Sequence, residues 1–411
     1  MTISPTRILA DIDAIAAFSE VPPAVGYSRP TFTTAWRGAR DYVIEQATAA
    51  GCKVRISASG NVHIRPAAVG WDEQIWLSGS HIDSVPTGGK YDGVMGIVVP
   101  LEVLRAASEA GRNDLPLELV IFAEEEGTTF NLGMLGSHAW AGTLSVDKLA
   151  AVKNRDGKNY FDAGVDCGVD ASRLADETLK PTDYCGLIEV HAEQGLSMWK
   201  ADVPVAVVTA INGRRQYAGT ITGTPNHAGS TGMFDRQDAL VAMAECVVAL
   251  ETLGRELASR VAGTVITVGQ VWPKPNAINV IPGSVDFTLD FRAGSDMMLG
   301  EGHDAIIHLF NDIVSRRSVK VSIRETEFLP AMPLAESVIG AIQSAGASLK
   351  IGPLPAVTSG ALHDAAIIAP VIPTAMLFVA SRDGISHNPA EFSRIEDIAT
   401  AAKVLAEVVK Q

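Results

Sequence analysis

The sequence predicts an α/β fold, because amphipathic helical segments alternate with short apolar strands along most of the chain. Apolar residues recur at helical spacing in residues 5–19 and again in residues 36–51. Residues 54–64 alternate apolar and polar side chains around a Ser-Gly-Asn turn, which predicts a β-hairpin. An apolar strand at 75–77 and a helix at 94–110 follow, so the alternation of strands and helices continues.

The middle of the chain predicts an inserted domain with the element order β-α-β-β-α-β, which is that of a ferredoxin-like fold. Its predicted elements are a strand at 216–224, a helix at 239–257, strands at 263–272 and 277–291, a helix at 298–314 and a strand at 319–324. We therefore predict a discontinuous first domain, residues 1–211 and 327–411, and an inserted α+β domain, residues 212–326.

Composition and charge exclude several classes of protein. The 411 residues are 47% hydrophobic and 6% aromatic, which is enough for two domains with sizeable cores. The formal net charge is −14 and no basic block occurs, so we expect no nucleic-acid partner. No apolar stretch approaches the ~18 residues of a membrane span and no signal peptide begins the chain, so we expect no membrane contact. The four cysteines lack C-x-x-C spacing, which argues against a structural zinc cluster and agrees with a cytoplasmic location.

The strongest chemical signal lies in residues 79–96, which read G-S-H-I-D-S-V-P-T-G-G-K-Y-D-G-V-M-G. His81 and Asp83 follow an apolar strand. An imidazole can bind a divalent ion through one nitrogen while a nearby carboxylate holds the other ring N–H, a role that suits Asp83. Asp92 follows in a glycine-rich loop, where one carboxylate can offer an oxygen to each of two ions. Taken alone, His81 and Asp83 agree better with a buried histidine in a polar turn.

Three further stretches end in carboxylate or histidine side chains. The apolar strand from 117 runs into three consecutive glutamates, of which Glu125 and Glu126 are candidates for a general base and a metal ligand. Like charges raise each other's pKa, so this cluster requires either nearby cations or a fully solvated turn. His191 ends another apolar strand, and His387 lies in a polar loop after an apolar run. Each of these histidines alone also fits a structural or solvated role.

Five motifs occur together along the chain: G-S-H-I-D-S, Y-D-G, E-E-G, H-A-E-Q-G and G-I-S-H. In this combination the sequence resembles the hydantoinase/carbamoylase amidase family over nearly its whole length. That family includes N-carbamoyl-L-amino acid hydrolases, β-ureidopropionases and allantoate amidohydrolases, within the larger group of dinuclear metallopeptidases and aminoacylases. The resemblance implies a mixed-sheet, di-metal peptidase-like catalytic domain whose insert acts as a lid and dimerisation domain.

The resemblance also implies a role for each matching residue. Asp92 would bridge two divalent ions, Glu125 would be the general base, and Asp83 would lie behind the ligands. The other ligands would be His81 and His191 at one ion, and Glu126 and His387 at the other. Zinc, manganese, cobalt and nickel all suit such nitrogen and oxygen ligands.

For the substrate, the resemblance implies a small amide that bears a carboxylate. Arg292 and Asn279 would hold that carboxylate, and His227, contributed across a homodimer interface, would stabilise the oxyanion. Gln194 and Gly360 match further substrate contacts. From the residues alone, Arg292 fits either a surface salt bridge or a planar fork for a carboxylate.

Two positions depart from the pattern of the family. Thr129 stands where relatives often carry Arg in E-E-G-x-R-F, and Leu362 stands where they often carry Gly. Both departures leave the expected metal ligands intact. They therefore affect the expected substrate rather than the expected chemistry.

We expect a homodimeric two-metal amidohydrolase that cleaves the carbamoyl group from an N-carbamoyl-L-amino acid, releasing ammonia and carbon dioxide. β-Ureidopropionate, allantoate and N-acyl amino acids are alternative substrates. An inactive small-molecule binding protein on the same scaffold is disfavoured, because every expected ligand and the base are present. A serine hydrolase is disfavoured because no G-x-S-x-G motif is followed by the required partners.

Overall fold

The computed structural model describes residues 1–410, and the chain divides into two compact units. The first unit comprises Met1–Thr209, Leu334–Ala356 and the segment that begins at Leu362. The second unit comprises Ala210–Pro333 and Val357–Ala361. Within residues 1–410, no helix has both the length and the apolar character needed to cross a membrane.

The helices and strands have the following bounds. The α-helices are α1 (Pro5–Ala17), α2 (Thr34–Ala49), α3 (Val94–Glu109), α4 (Leu135–Ala141), α5 (Val146–Ala151), α6 (Tyr160–Gly164), α7 (Ser197–Lys200), α8 (Ala239–Arg260), α9 (Asp296–Arg316), α10 (Glu336–Ser348), α11 (Asp364–Ile368) and α12 (Ile395–Val408). The strands are β1 (Cys52–Ile56), β2 (Val62–Pro66), β3 (Ile75–His81), β4 (Leu117–Phe122), β5 (Tyr184–Ala192), β6 (Val205–Ile211), β7 (Gly213–Thr222), β8 (Asn226–His227), β9 (Val265–Lys274), β10 (Val280–Ile281), β11 (Ser284–Ala293), β12 (Lys320–Leu329), β13 (Met332–Pro333), β14 (Ala356–Ser359) and β15 (Thr374–Val379).

The larger sheet is mixed, with the strand order β1-β2-β4-β3-β5-β15-β6-β13, and β14 pairs with β6. Its central strands β4, β3, β5 and β15 run parallel to one another. Antiparallel pairing of β2 with β4 and of β6 with β15 flanks them. Parallel strands covered on both faces are mostly apolar, and every residue of β4 and β15 is buried. This architecture confirms the predicted α/β class with a mixed sheet.

The four parallel strands matter for function because their carboxyl ends meet at one edge of the sheet. β3 ends at His81, and β5 ends one residue after His191. β4 ends just before the run of glutamates, and β15 ends before the loop that contains His387. Each predicted metal-ligand stretch therefore leaves a central strand at the same edge.

Glycine is required where β3 and β4 approach each other. A Cβ atom at Gly79 would lie 1.9 Å from the backbone oxygen of Val120. No side chain fits at that distance, so the first glycine of the G-S-H motif permits the strand pairing that delivers His81.

The second unit contains a four-stranded antiparallel sheet in the order β12-β7-β11-β9. Alternate residues of β11 are buried, and Phe287 of this strand stacks on Phe310 of α9. Residues of α8, including Met243 and Leu250, complete the same core. The chain order β7-α8-β9-β11-α9-β12 is the predicted ferredoxin-like order.

Several observed elements differ from the predicted ones. The predicted strand 277–291 is interrupted at Pro282 and Gly283, because proline has no N–H to donate to a β-ladder. β12 runs to Leu329, so the second unit extends beyond the predicted end at 326. The unit also includes Val357–Ala361, which no local pattern indicates, and helices α4, α5 and α6 were not predicted.

Candidate metal centre

Six side chains that the sequence singles out lie together at the carboxyl edge of the central strands. They form groups in which the nitrogen and oxygen atoms that could bind a metal all lie within 4.8 Å of one another. The groups are His81, Asp92 and His191; Asp92, Glu126 and His387; and His81, Glu125 and Glu126. The first unit therefore brings together the five predicted ligands and the predicted base.

Asp92 lies at the centre of this cluster. Its Oδ1 is 3.1 Å from Nε2 of His191 and 3.6 Å from Nε2 of His81. Its Oδ2 is 3.2 Å from Nε2 of His387, and that nitrogen is 3.7 Å from Oε2 of Glu126. One carboxylate oxygen thus faces each half of the cluster, as in a carboxylate that bridges two cations.

Main-chain carbonyl groups orient the imidazoles of His81 and His191. Nδ1 of His81 lies 2.9 Å from the backbone oxygen of Asp83, and Nδ1 of His191 lies 3.0 Å from the backbone oxygen of Ala192. A ring N–H at Nδ1 donates to each oxygen, which leaves the lone pair of Nε2 directed toward Asp92. Both rings therefore present the nitrogen that a metal ligand must present.

The carboxylate of Asp83 has a different partner from the one predicted. Its Oδ1 is 3.7 Å from Nδ1 of His81, which is too long for a hydrogen bond. Instead Oδ1 and Oδ2 accept hydrogen bonds from the backbone N–H groups of Glu125 and Glu126, at 3.3 and 3.0 Å. The backbone oxygen of Asp83 already orients His81, so its carboxylate is available to fix the loop that carries both glutamates.

Glu124, the first of the three consecutive glutamates, faces away from the cluster. Its backbone is left-handed, with φ of 59°. Its Oε1 accepts hydrogen bonds from the backbone N–H groups of Thr129 and Phe130, both at 2.8 Å. Burial raises the pKa of Glu124 to about 7. Glu124 therefore shapes the following loop, and only the next two glutamates face the cluster.

The cluster concentrates negative charge in a buried place. Burial raises the pKa of Glu125 well above its usual value, and the charges of Asp364 and Glu126 add to the rise. Burial and the charge of Asp92 raise the pKa of Glu126 to about 7. A hydrogen bond to Asp92 raises the pKa of His387 to about 9. Burial and mutual repulsion therefore both oppose the ionisation of Glu125 and Glu126.

The residues present fit divalent cations. Imidazole nitrogens and carboxylate oxygens are the donors that zinc, manganese, cobalt and nickel accept. Nε2 of His81 is 3.6 Å from both Asp92 Oδ1 and Glu125 Oε2, distances that exceed those of hydrogen bonds. The side chains therefore surround a common space rather than closing on one another. Cations in that space would neutralise the buried carboxylates.

Gln194, which the resemblance associates with substrate, lies against Asp92. Its Nε2 donates hydrogen bonds to Oδ2 of Asp92 at 2.9 Å and to Oγ of Ser386 at 3.2 Å. Its backbone is left-handed, with φ of 55°. The side chain thus orients the central carboxylate of the cluster.

Arg292 and Gly360 lie together in the second unit. Nε of Arg292 donates to Oδ1 of Asp290 at 2.8 Å, and Nη1 donates to the backbone oxygen of Gly360 at 3.1 Å. Gln216 also donates to Asp290, at 2.9 Å. The salt bridge anticipated for Arg292 is therefore present, and it fixes the guanidinium while leaving N–H groups on both Nη atoms for a further acceptor.

His227 and Asn279 lie side by side in exposed segments of the second unit. Nδ1 of His227 accepts hydrogen bonds from the backbone N–H groups of Gly229 and Ser230, at 3.0 and 3.2 Å. Because Nδ1 is an acceptor, the neutral ring carries its proton on Nε2. The backbone oxygen of Asn279 accepts a hydrogen bond from the N–H of Ala228 at 2.9 Å, which joins the two segments.

The two departures from the family pattern differ in their surroundings. Oγ1 of Thr129 accepts a hydrogen bond from the backbone N–H of Thr31 at 3.0 Å. The side chain of Leu362 is 42% exposed. Thr129 thus serves a contact within the fold, whereas Leu362 presents an apolar surface.

Three further residues lie near the cluster. Ser386 and Glu391 lie in the loop around His387, and Glu391 is buried. The ring of His363 is buried 4.4 Å from that of His191, and burial lowers its pKa well below the usual value. The only sequence signal for Glu391 is a carboxylate close to a histidine in a polar loop, which surface loops also show.

Comparison with known proteins agrees with this geometry. The model of the family described as Peptidase family M20/M25/M40 matches residues 77–411. An N-carbamoyl-L-amino acid amidohydrolase from Geobacillus stearothermophilus is 37% identical over 392 residues, covering 95% of this chain and 94% of that protein. The allantoate amidohydrolase of Escherichia coli (strain K12) is 31% identical over 395 residues, covering 95% and 93%.

Solved structures give the same result. A hydantoinase/carbamoylase family amidase from Burkholderia multivorans has a TM-score of 0.88 at 31% sequence identity, covering 99% of this chain and 97% of that one. A putative amidohydrolase/peptidase from Burkholderia cenocepacia has a TM-score of 0.89 at 32% identity. Family, relatives and fold therefore agree with the resemblance seen in the motifs. The chain belongs to the peptidase family M20/M25/M40 and is a relative of the hydantoinase/carbamoylase amidases.

Proposed function

We propose that this protein is a metal-dependent amidohydrolase that cleaves the carbamoyl C–N bond of an N-carbamoyl-L-amino acid. The products are the free amino acid, ammonia and carbon dioxide. The chain is a hydrolase of linear amide C–N bonds, as its relatives are. The observation that carries the proposal is the position of Glu125 beside a histidine and carboxylate cluster that is centred on Asp92.

The chemistry requires a proton carrier beside the ligands. Two divalent cations, one held by His81, Asp92 and His191 and one by Asp92, Glu126 and His387, would polarise the substrate carbonyl and acidify a water molecule. Glu125 takes the proton of the attacking water and gives it to the departing nitrogen. Its raised pKa makes it a better proton acceptor than an ordinary glutamate, as a general base requires.

The substrate carboxylate is assigned to Arg292 of the second unit. Asp290 and the backbone oxygen of Gly360 hold the guanidinium in one orientation. A fixed planar fork loses little side-chain entropy when it binds a carboxylate through two parallel hydrogen bonds. Asn279 and Gln194 are assigned to substrate binding as well, because the family resemblance gives the matching residues that role.

We further propose a homodimer formed through the second unit. The outer side of α8 exposes four apolar residues, namely Leu240, Val241, Val247 and Val248. Strand β9 is an edge strand of the four-stranded sheet, and Trp272 on it is 46% exposed. A second copy that pairs along β9 and covers α8 removes both the open strand edge and the apolar stripe from water.

In that dimer, His227 of one subunit serves the active site of its partner. Its exposed ring donates from Nε2, because Nδ1 is occupied by two backbone N–H groups. A donor of this kind stabilises the negative oxygen that forms when water attacks an amide carbon.

Three related substrates and one non-catalytic role are the alternatives. Relatives from Escherichia coli and Bacillus subtilis are named allantoate amidohydrolase, at 31% and 30% identity, so allantoate is the second candidate. β-Ureidopropionate and N-acyl amino acids share the same amide and carboxylate. The non-catalytic alternative is an inactive binding protein on the same scaffold. Such a protein would not require a general base at Glu125.

The test is a substrate panel on protein reconstituted separately with zinc, manganese, cobalt and nickel. N-carbamoyl, N-formyl and N-acetyl derivatives of several L-amino acids are compared with β-ureidopropionate and allantoate, and ammonia and free amine are measured. We expect ammonia and amino acid in equal amounts from N-carbamoyl-L-amino acids. If allantoate were the only compound that released ammonia, the assigned substrate would be wrong. If no compound were turned over with any metal, the proposal that the protein is an amidohydrolase would be wrong.

The proposed compartment is the cytoplasm. All four cysteines have free thiols, and three of them are buried. Free thiols persist in a reducing compartment, whereas oxidising ones favour disulfides.

A further inference from the structure

The buried carboxylate of Glu391 binds the backbone of Asp92, the residue at the centre of the metal cluster. Oε2 of Glu391 accepts hydrogen bonds from the backbone N–H groups of Tyr91 and Asp92, at 2.9 and 3.0 Å. The side chain of Glu391 is buried, and 299 positions in the sequence separate it from Asp92. The contact therefore joins the glycine-rich loop after β3 to the loop after β15.

The other oxygen of Glu391 holds the loop that carries His387. Oε1 accepts a hydrogen bond from Oγ of Ser386 at 2.9 Å, whereas that hydroxyl is 3.4 Å from Oδ2 of Asp92. A hydroxyl has one proton, so the shorter contact takes it. Oγ of Ser386 is then free to accept from Nε2 of Gln194, at 3.2 Å. Gln194 thus donates a hydrogen bond to Ser386, and Ser386 donates one to Glu391.

The glycine-rich loop is shaped to admit this carboxylate. A Cβ atom at Gly89 would lie 2.2 Å from Oε2 of Glu391 and 2.5 Å from its Cβ. Any side chain at Gly89 would displace the glutamate from the two N–H groups. The second glycine of T-G-G-K-Y-D-G is therefore a requirement of the Glu391 contact.

We propose that Glu391 is a positioning residue for the metal centre, one that fixes Asp92 and His387 relative to each other. The inference rests on the proposed metal centre and adds a residue that touches neither ligand side chain. Oδ2 of Asp92 and Nε2 of His387 serve the same cation position, and each belongs to a loop that Glu391 holds. Without that carboxylate the two loops lose their common anchor. Cation binding should therefore weaken at the position held by Asp92, Glu126 and His387.

The experiment titrates metal-free full-length protein with Co²⁺ alone, by calorimetry and by the visible absorption of the bound ion. We expect wild-type protein to bind two ions per chain. Glu391→Ala should bind one ion as wild type does and the other at least tenfold more weakly, with an altered absorption spectrum. Glu391→Gln keeps an oxygen that can accept both backbone N–H groups, so it should restore the second affinity to within a few-fold of wild type.

Glu102→Ala is the matched control. Glu102 is also fully buried and also accepts a backbone N–H, that of Ser4 at 2.7 Å, but it lies on α3 and pairs with Arg7. Glu102→Ala should lower the melting temperature and leave both Co²⁺ affinities unchanged. Should Glu391→Ala fail to fold, Ser386→Ala removes one arm of the same anchor and should weaken the same ion.

Three results would overturn the inference. They are two unchanged affinities in Glu391→Ala or Ser386→Ala, a loss in Glu102→Ala equal to that in Glu391→Ala, and no rescue by Glu391→Gln. If wild-type protein bound no pair of ions, the proposed function would fail and the inference with it. These outcomes need no substrate, so they are separate from an error in the assigned substrate.

Discussion

Asp92 and Glu125 are two buried carboxylates with opposite protonation behaviour. Burial opposes the ionisation of both. At Asp92, the neighbouring imidazoles of His191, His387 and His81 outweigh burial and hold its pKa well below the usual value. Burial raises the pKa of Glu125, and neighbouring acids add to the rise. Environment thus suits Asp92 to the proposed role of metal ligand and Glu125 to the proposed role of proton carrier.

Glu125→Gln tests the proton carrier. Glutamine keeps the size of the side chain but cannot take a proton from water. We expect kcat to fall by about 10²–10⁴-fold, the range for loss of a general base, with two metal ions per chain retained. Steady-state kinetics and metal analysis measure the two effects.

Glu109→Gln is the control for that substitution, since Glu109 is exposed on α3 and pairs with Arg7. It should leave kcat unchanged. Full turnover by Glu125→Gln would remove Glu125 from the mechanism.

At the scale of elements, the site depends on how helix α3 begins. Gly93 is the N-cap of α3, with φ of 66°, and follows Asp92 directly. A Cβ atom there would lie 2.5 Å from Nε2 of His81. The strand that delivers His81 and the helix that follows Asp92 therefore pack against each other without room for a methyl group.

Gly93→Ala tests this packing. We expect a loss of about 2–4 kcal/mol in the free energy of unfolding, from left-handed backbone strain and overpacking together. Weaker metal binding should accompany it, because the new methyl group displaces the imidazole of His81. Chemical denaturation and metal titration measure the two effects.

Gly111→Ala is the matched control at the other end of α3. Gly111 also has a positive φ, of 72°, but a Cβ atom there meets nothing within 4 Å. It should cost only about 1 kcal/mol, from strain, and leave metal binding unchanged. Equal metal affinities in both variants would contradict the packing argument.

At the scale of the whole molecule, metal binding should be coupled to protons. The raised pKa values of Glu126, about 7, and His387, about 9, mean that metal-free protein at pH 7 carries a proton on His387 and a proton on about half of the Glu126 side chains. Ligands must lose these protons to bind a cation. Affinity should therefore fall as pH falls below 9, by about tenfold per pH unit for each proton released.

Calorimetry in buffers of different ionisation enthalpy counts those protons directly. Binding at pH 7 should release more than one proton per chain, and the number should rise toward pH 6. Removal of the metals should also lower the melting temperature, since ions that bind only the folded state stabilise it by about 4 kcal/mol at 1,000 times their Kd. Binding without proton release would contradict the assigned ligands.

The dimer proposal also belongs to the whole molecule. Val248 on α8 is 65% exposed and lies within the apolar stripe of the second unit. Val248→Glu places a charge in the proposed interface, which should convert the dimer to monomers in sedimentation analysis. Activity should fall as well, because the proposal has His227 act across that interface. Val165→Glu, at a 63% exposed valine of the first unit, should remain dimeric and active. A wild-type monomer with full activity would contradict the proposal.

Much of the fold follows from local sequence patterns, and much of the candidate site follows from the family resemblance. Apolar periodicity predicted the helices that became α1, α2 and α3 and the β-α-β-β-α-β order of the second unit. The resemblance to a known family, rather than any local pattern, joined His81, Asp92 and His191 into one expected metal site. The structure shows why they meet, because the carboxyl ends of the parallel strands lie at one edge of the sheet. Short helices such as α4 to α6 were not predicted, because so few residues show no clear apolar periodicity.

The sequence by itself determined which side chains can bind a cation and which strands carry them, because side-chain chemistry and periodicity are local properties. Only the tertiary structure decided which buried carboxylates hold the backbone of the cluster residues in place. The carboxylate of Asp83 holds the loop with Glu125 and Glu126, and Glu391 holds the backbone of Asp92. Such hydrogen bonds join segments 42, 43 and 299 positions apart. They arise where packed loops meet, and no spacing along one segment encodes them.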